Sequence, residues 1–382
     1  MKSTRIASLD GLRAVSIALV ITNHIARGFT DYSGHNDSGP DLVRFLHLGH
    51  LGVMMFFVIS GFLITTLLLK EDRVNLGRFY FRRTIRIFPP FYIYLAFILL
   101  LKLAGVLLTS RFNLFAATSY TTNFCFGCTE EGSWFTGHTW SLAIEEQFYL
   151  LWPPVLWFAG RARSMWVAVG VLAVCPIIRV VVILIHPETS AEFFAFSTVA
   201  DSLAAGCVLA MLRPRLHKNR IYASLITSRF IGAAPFLALM IFWAGEFISP
   251  PIKPAFALVA VSVLNLCMVL TIDWCITNPA GAIVRVLNTQ PIVFVGTISY
   301  SLYLWQQPFL FSGLHGPIWN FPLNIACIGF AAVASFYLIE KPSLRMRQRL
   351  EDWWLQFNLR RRMEKAYRSA DAVDFQSEGA IG

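Results

Sequence analysis

The sequence predicts an all-α fold, a polytopic membrane bundle of about ten helices with both termini in the cytoplasm. Three observations carry this reading. The 382 residues are 56% hydrophobic and 14% charged, with a mean hydropathy of +0.58, whereas soluble domains carry about 25% charged residues. Apolar stretches of about 20 residues, the length that crosses a bilayer, recur along the whole chain. They lie at 8–28, 48–69, 88–108, 138–159, 165–186, 194–212, 230–249, 255–274, 291–312 and 319–339. With the N-terminus inside, 25 Lys and Arg residues fall in cytoplasmic segments and 4 in external ones, the bias that orients membrane helices. A soluble enzyme with one large core is excluded, and so are a disordered chain and a disulfide scaffold. The formal charge of +10 is accounted for by topology and asks for no nucleic acid. A membrane domain is expected over 1–340. A basic cytoplasmic tail, helical and then disordered, is expected over 341–382.

The first span is not a cleavable leader, because Asp10 and Arg13 interrupt it early and no small-x-small site precedes Gly28. Arg13 and His24 stand eleven residues apart, which places them about 16 Å apart along the axis and within about 20° of one face. Asp10, three residues before Arg13, can neutralise it. Ionisable residues in a span are costly in lipid and point to a bundle interior. The second span carries His47 and His50 at its outer edge. With His138 they could approach a metal, but no carboxylate accompanies them at ligand spacing, so no metal is expected.

The connection to the third span reads Arg82-Arg83-Thr84-Ile85-Arg86. Arg83 and Arg86 are one helical turn apart, as are Arg82 and Arg86. Guanidinium pairs suit bidentate phosphate recognition, and the same charges would equally attract anionic lipid. Cys125 and Cys128 sit in the longest external loop, where a small disulfide is expected rather than a metal site. The other five cysteines read as apolar packing.

The fourth span opens His138-Thr139-Trp140-Ser141-Leu142-Ala143-Ile144-Glu145-Glu146. Its spacing puts His138, Ser141 and Glu145 on one face of a helix. Adjacent buried carboxylates either hold a catalytic imidazole in one tautomer or act as a base themselves. No Gly-rich phosphate loop and no G-x-S-x-G elbow occurs.

Five stretches, taken in order, resemble acyltransferase family 3 of bacterial integral-membrane proteins. They are Leu9-Asp10-Gly11-Leu12-Arg13-Ala14 with His24, Gly52 to Ile64, Arg82 to Pro89, Trp140 to Tyr149, and Ser299 to Pro308, the last containing Tyr300. The resemblance covers residues 9 to 308. It implies transfer of an acyl group, usually acetyl, from cytoplasmic acyl-CoA to a carbohydrate or glycolipid outside the bacterial inner membrane. By the same resemblance Arg13 and His24 are functional, Arg83 and Arg86 serve the donor, and Asp201 matches a family aspartate. Some members carry a His near Gln306-Gln307, and its absence here weakens a catalytic role for that position.

The expected function is therefore membrane O-acyl transfer. His24, Arg13, Glu145 and Glu146 are the catalytic candidates, and Arg82, Arg83 and Arg86 would hold the donor. Asp10, Asp201, His138, Ser141 and Tyr300 would support them. No cofactor is bound permanently, and acyl-CoA (acetyl-CoA) is a co-substrate. The competing reading is a transporter or flippase for a lipid-linked or anionic solute. It would favour repeat-related halves, and the sequence shows no repeat.

Overall fold

A computed structural model describes residues 6–33, 48–71, 74–124, 134–186, 194–249, 252–311, 313–314, 316–353 and 356. Cys125, Cys128, His47 and the tail beyond residue 356 lie outside the described residues. Among those described there is no strand, so the chain is an all-α bundle as composition demanded. In chain order the helices are α1 (Ala7–Ser33), α2 (Gly49–Leu68), α3 (Leu76–Leu103), α4 (Arg111–Thr118) and α5 (Trp134–Gly137). They continue as α6 (Trp140–Ile185), α7 (Phe196–Leu216), α8 (Arg220–Thr227), α9 (Ala234–Glu246) and α10 (Lys253–Thr277). The last are α11 (Ala282–Leu287), α12 (Gln290–Thr297), α13 (Ser299–Trp305) and α14 (Leu323–Ser335).

Seven of the helical segments are long and apolar enough to cross a membrane, or eight if the bent segments Arg220–Thr227 and Arg229–Gly245 form one span. The expected spans at 138–159 and 165–186 both fall inside α6, which is 46 residues long. Straight, such a helix would run about 69 Å, far more than a bilayer core. It turns sharply at Gly160, whose φ of 69° is the left-handed region open to glycine. Ser164 Oγ consequently donates to the Val155 carbonyl at 3.2 Å, nine residues back, a pair about 13.5 Å apart in a straight helix. The stretch expected as a span at 291–312 is instead broken into α12, α13 and a short turn at Gln307–Phe309. Pro291 and Pro308 start the first and last of these pieces, where a missing N–H costs nothing.

The centre of the bundle is the crossing of α2 with α7. A Cβ on Gly206 would sit 2.1 Å from the Val58 carbonyl, and one on Gly61 would sit 2.0 Å from that of Leu203. Backbone-to-backbone approach through small residues is how helices bind where lipid removes the hydrophobic drive. Deeply buried Phe57, Val58, Leu203 and Cys207 fill the space around this crossing. A second tie is the ion pair between Arg179 Nη2 and Asp201 at 2.7 Å, with both side chains at most 2% exposed. Arg179 also donates to the Thr198 carbonyl, so its charge and donors are spent on packing. The five described free cysteines are buried or half-buried, as packing residues should be.

α14 continues through a π turn at Phe336–Glu340 into helix as far as Trp353. The first stretch of the expected tail is therefore helical and joined to the last apolar helix. It carries Glu351 back against α3, where it meets Arg82.

Candidate active site

A narrow cavity of about 90 Å³ lies where α1, α2, α3, α6, α12 and α13 converge. Arg13 of α1, Arg83 and Arg86 of α3, Glu145 and Glu146 of α6 and Tyr300 of α13 all line it. Each helix brings its residue inward for a local reason. Asn75 caps α3 by accepting from Arg78 N at 2.9 Å, which sets the phase of the arginines that follow. Pro89 and Pro90 then leave the carbonyls of Ile85 and Arg86 without their helical donors. Just beyond, the Tyr300 hydroxyl crosses the cavity wall to donate to the Ile87 carbonyl at 3.0 Å. On α6, Ser141, Glu145 and Tyr149 recur every four residues and share one stripe.

The charged groups are held to very different degrees. Asp10 lies 3.9 Å from Arg13, the i, i+3 neutralisation the sequence suggested. Glu145 is fixed twice, accepting from Ser60 Oγ at 2.7 Å and from the Tyr149 hydroxyl at 3.2 Å. The Arg83 guanidinium stacks 3.7 Å above the Tyr149 ring. Arg86 and Glu146 have no hydrogen bond or ion pair among the described residues. Three guanidiniums thus face two carboxylates in a space with room for several waters, and one cation and one anion remain available to a ligand. A larger groove of about 690 Å³ on the outer side of α3 and α6 shares Arg83, Glu146 and Tyr149 with this cavity.

His24 is not part of the cavity wall. It stands further along α1, where Gln306 Oε1 lies 3.1 Å from its Nδ1 and Gln307 Nε2 lies 3.4 Å from its Nε2. Both contacts fit one tautomer, with Nδ1–H donating to Gln306 and the Nε2 lone pair facing a weak donor. Trp134 packs edge-on to the imidazole, ring centroids 6.0 Å apart, and donates to the Gln307 carbonyl. A glutamine thus occupies the place expected for a carboxylate partner, and Glu145 does not bond His24.

The remaining candidates divide. His138 sits in the turn before α6, so the expected His138–Ser141–Glu145 face loses its first member. Its ring packs instead on Tyr94 and Tyr303. Ser141 shares a 2.6 Å hydrogen bond with the Tyr303 hydroxyl, which donates to the His138 carbonyl at 2.7 Å. Arg82 turns away from the cavity to Glu351, and Asp201 is committed to Arg179. His50 stacks on Trp140 with centroids 5.9 Å apart. No group of three potential metal ligands occurs among the described residues. Sequence reasoning passed over Ser60, Tyr149 and Tyr303 and discounted Gln306 and Gln307. All five lie in the stretches quoted above, but only the fold shows whom they bond.

The fold is a helical membrane bundle with a charged cavity beside one stretch of α1 and a hydrogen-bonded histidine further along it. The chain belongs to the acyltransferase family, whose domain model matches residues 6–341. It is 28% identical over 367 residues to the peptidoglycan O-acetyltransferase OatA of Listeria monocytogenes, covering 88% of this chain and 55% of that protein. It is 28% identical to the putative peptidoglycan O-acetyltransferase YrhL of Bacillus subtilis, covering 88% and 54%. It is 27% identical to the O-acetyltransferase OatA of Staphylococcus aureus, covering 87% and 56%. The chain therefore spans about half the length of these relatives. No solved structure matches it.

Proposed function

We propose that the chain is an O-acetyltransferase of the bacterial inner membrane. It takes an acetyl group from cytoplasmic acetyl-CoA and delivers it to a hydroxyl of a carbohydrate outside, a peptidoglycan-type glycan by analogy with the relatives. The observation that carries this reading is the division of α1. Arg13 and Arg86 face one charged cavity, and His24, eleven residues on from Arg13, has Nδ1 held by Gln306 at 3.1 Å and Nε2 turned to Gln307 at 3.4 Å.

In this reading Arg83 and Arg86 hold the donor's anionic part by charge-assisted hydrogen bonds. The thioester arm follows α1 for the roughly 16 Å to His24. The acceptor hydroxyl replaces the weak Gln307 contact at Nε2. His24 Nε2 takes the hydroxyl proton as its oxygen attacks the thioester carbon. The C–O bond forms, the C–S bond breaks, and the thiolate leaves with the proton from His24 as free CoA. Gln306 holds the imidazole in the tautomer that allows this. The acyl group is taken as acetyl by analogy with the relatives' names.

The experiment follows free CoA and acetylated glycan together, by thiol detection and mass spectrometry. His24→Ala is expected to abolish acetylated product while membrane insertion stays normal. Acetylation that persists in this variant removes His24 from the chemistry. A carrier for an anionic solute would release no CoA at all, which separates the transporter reading.

A further inference from the structure

Arg78, Arg82 and Arg86 recur every four residues along α3. They form one stripe of the helix, with its ends about 12 Å apart. The stripe begins at the cytoplasmic end of α3 and finishes in the cavity that Arg86 lines. The helix following α14 crosses its lower end. There Glu351 accepts from Arg82 Nε at 2.7 Å and from Nη2 at 2.6 Å. The same carboxylate lies 3.7 Å from Arg78 and 3.7 Å from Arg347. Three guanidiniums share one carboxylate. Glu71, the other acid near Arg82, accepts from Asn75 N at 3.2 Å and still leaves cations in excess.

A packing staple has no use for this surplus. The Arg179–Asp201 pair between α6 and α7 does the same mechanical task with charges matched one to one. Here Arg347 Nε is buried with no hydrogen-bond partner, and Arg78 is 48% exposed. Planar donors without a hydrogen-bond partner, grouped round one carboxylate with positive charge in surplus, are the chemistry of phosphate binding.

We propose that Arg78, Arg82 and Arg347 form a phosphate subsite for the nucleotide end of the donor, outside the cavity and one helical turn or more below Arg86. The inference rests on the acyl-CoA reading above. Glu351 is the resident anion of the subsite. It holds Arg82 when the donor is absent and gives way when a phosphate arrives. The C-terminal helix is thereby part of donor recognition rather than a separate tail, and the stripe leads the donor from solvent towards Arg86.

The test uses the full-length protein in detergent and two thioesters, acetyl-CoA and acetyl-dephospho-CoA, which lacks the 3′-phosphate. Arg347→Ala is expected to raise the KM for acetyl-CoA about tenfold. The KM for the dephospho compound should change less than about twofold, since the lost contact is to the missing group. Glu351→Gln should act in the opposite sense and lower the KM for acetyl-CoA, because a competing anion is gone. Equal effects of Arg347→Ala on both thioesters, or no effect on either, overturn the subsite. Loss of thermal stability in both variants with unchanged KM also overturns it and leaves a staple. Binding of phosphatidylglycerol nanodiscs that depends on Arg347, without discrimination between the thioesters, assigns the cluster to lipid and overturns it too. Wild-type protein that binds no CoA in calorimetry refutes the donor reading itself, a result distinct from wild-type binding that the variants leave unchanged.

Discussion

Two inward-facing arginines should respond to truncation in opposite ways. Arg179 is matched by Asp201 at 2.7 Å and spends its other donors on the Thr198 and Ala257 carbonyls. Among the described residues Arg86 has no hydrogen bond or close ion pair; it faces the cavity with buried Glu340 as a more distant charge partner. Removing Arg179 strands a buried carboxylate, a loss of about 3–5 kcal/mol. Removing Arg86 breaks no hydrogen bond or close ion pair and takes only a through-space charge contact from buried Glu340, which keeps its bond from Ser301, so the loss of thermal stability should be clearly smaller. Its donors are instead available to the acyl donor, where a hydrogen bond from a charged group is worth about 1.5–3 kcal/mol. At 1.36 kcal/mol per decade, that is roughly a 10- to 150-fold rise in donor KM for Arg86→Ala, with turnover much less affected. Arg179→Ala should lower the melting temperature and the folded yield while leaving the donor KM of the folded fraction unchanged. The assays are thermal unfolding in detergent and CoA release against donor concentration. An Arg86→Ala protein with wild-type KM, or one as destabilised as Arg179→Ala, would refute the assignment of Arg86 to the donor.

Gln306→Leu keeps the volume near His24 but removes the acceptor at Nδ1. Product formation should fall tenfold or more with donor KM unchanged, and Gln306→Glu should recover part of it, measured as acetylated glycan per folded protein. Gly206→Ala pushes a methyl group into the Val58 carbonyl. The α2–α7 crossing must then open, and folded yield in size-exclusion chromatography should drop sharply, with an alanine tolerated at Gly170, where nothing lies within 4 Å. Tyr303→Phe keeps the ring against His138 but loses the hydroxyl shared with Ser141 and the His138 carbonyl. At about 1 kcal/mol for each bond, the layer between cavity and His24 loosens. The ratio of CoA released to acetyl transferred should then rise above one.

The helices and their order were legible because a bilayer permits little else: apolar stretches of span length and a one-sided cation distribution leave few arrangements. The breaks were less legible. Gly160 and Pro308 mark them, yet periodicity alone does not say whether such residues end a span or turn within it. Arg13, Arg83, Arg86, Glu145, Glu146 and Tyr300 do converge on one cavity. Arg82 looked identical to Arg83 in sequence, and one 100° step along α3 sends it to Glu351 instead. Asp201 looked like a buried charge awaiting a role, and its partner, Arg179, lies 22 residues away in another span. Spacing rules reach only along one helix. Which cations and anions end up matched is decided by the packing of different helices, and the unmatched ones are visible only after the matched ones are removed.

That subtraction also explains why Glu145 and Glu146, neighbours in sequence, should not be equivalent. Glu145 is the anchored one: Ser60 and Tyr149 each donate to one of its oxygens, so its geometry is set. Glu146, one step around the helix, faces both the cavity and the adjoining groove without a bonded partner. The cavity therefore contains a fixed anion that holds its shape and a free one that answers to whatever enters. With Arg83 stacked on Tyr149 and Arg86 without a hydrogen bond or close ion pair among the described residues, the same division holds for the cations. In the proposed reading, a charged donor entering from one side and an acylated product leaving on the other need both kinds of group. The rigid ones keep the helices in register, and the unmatched ones are those whose energy changes when the ligand arrives.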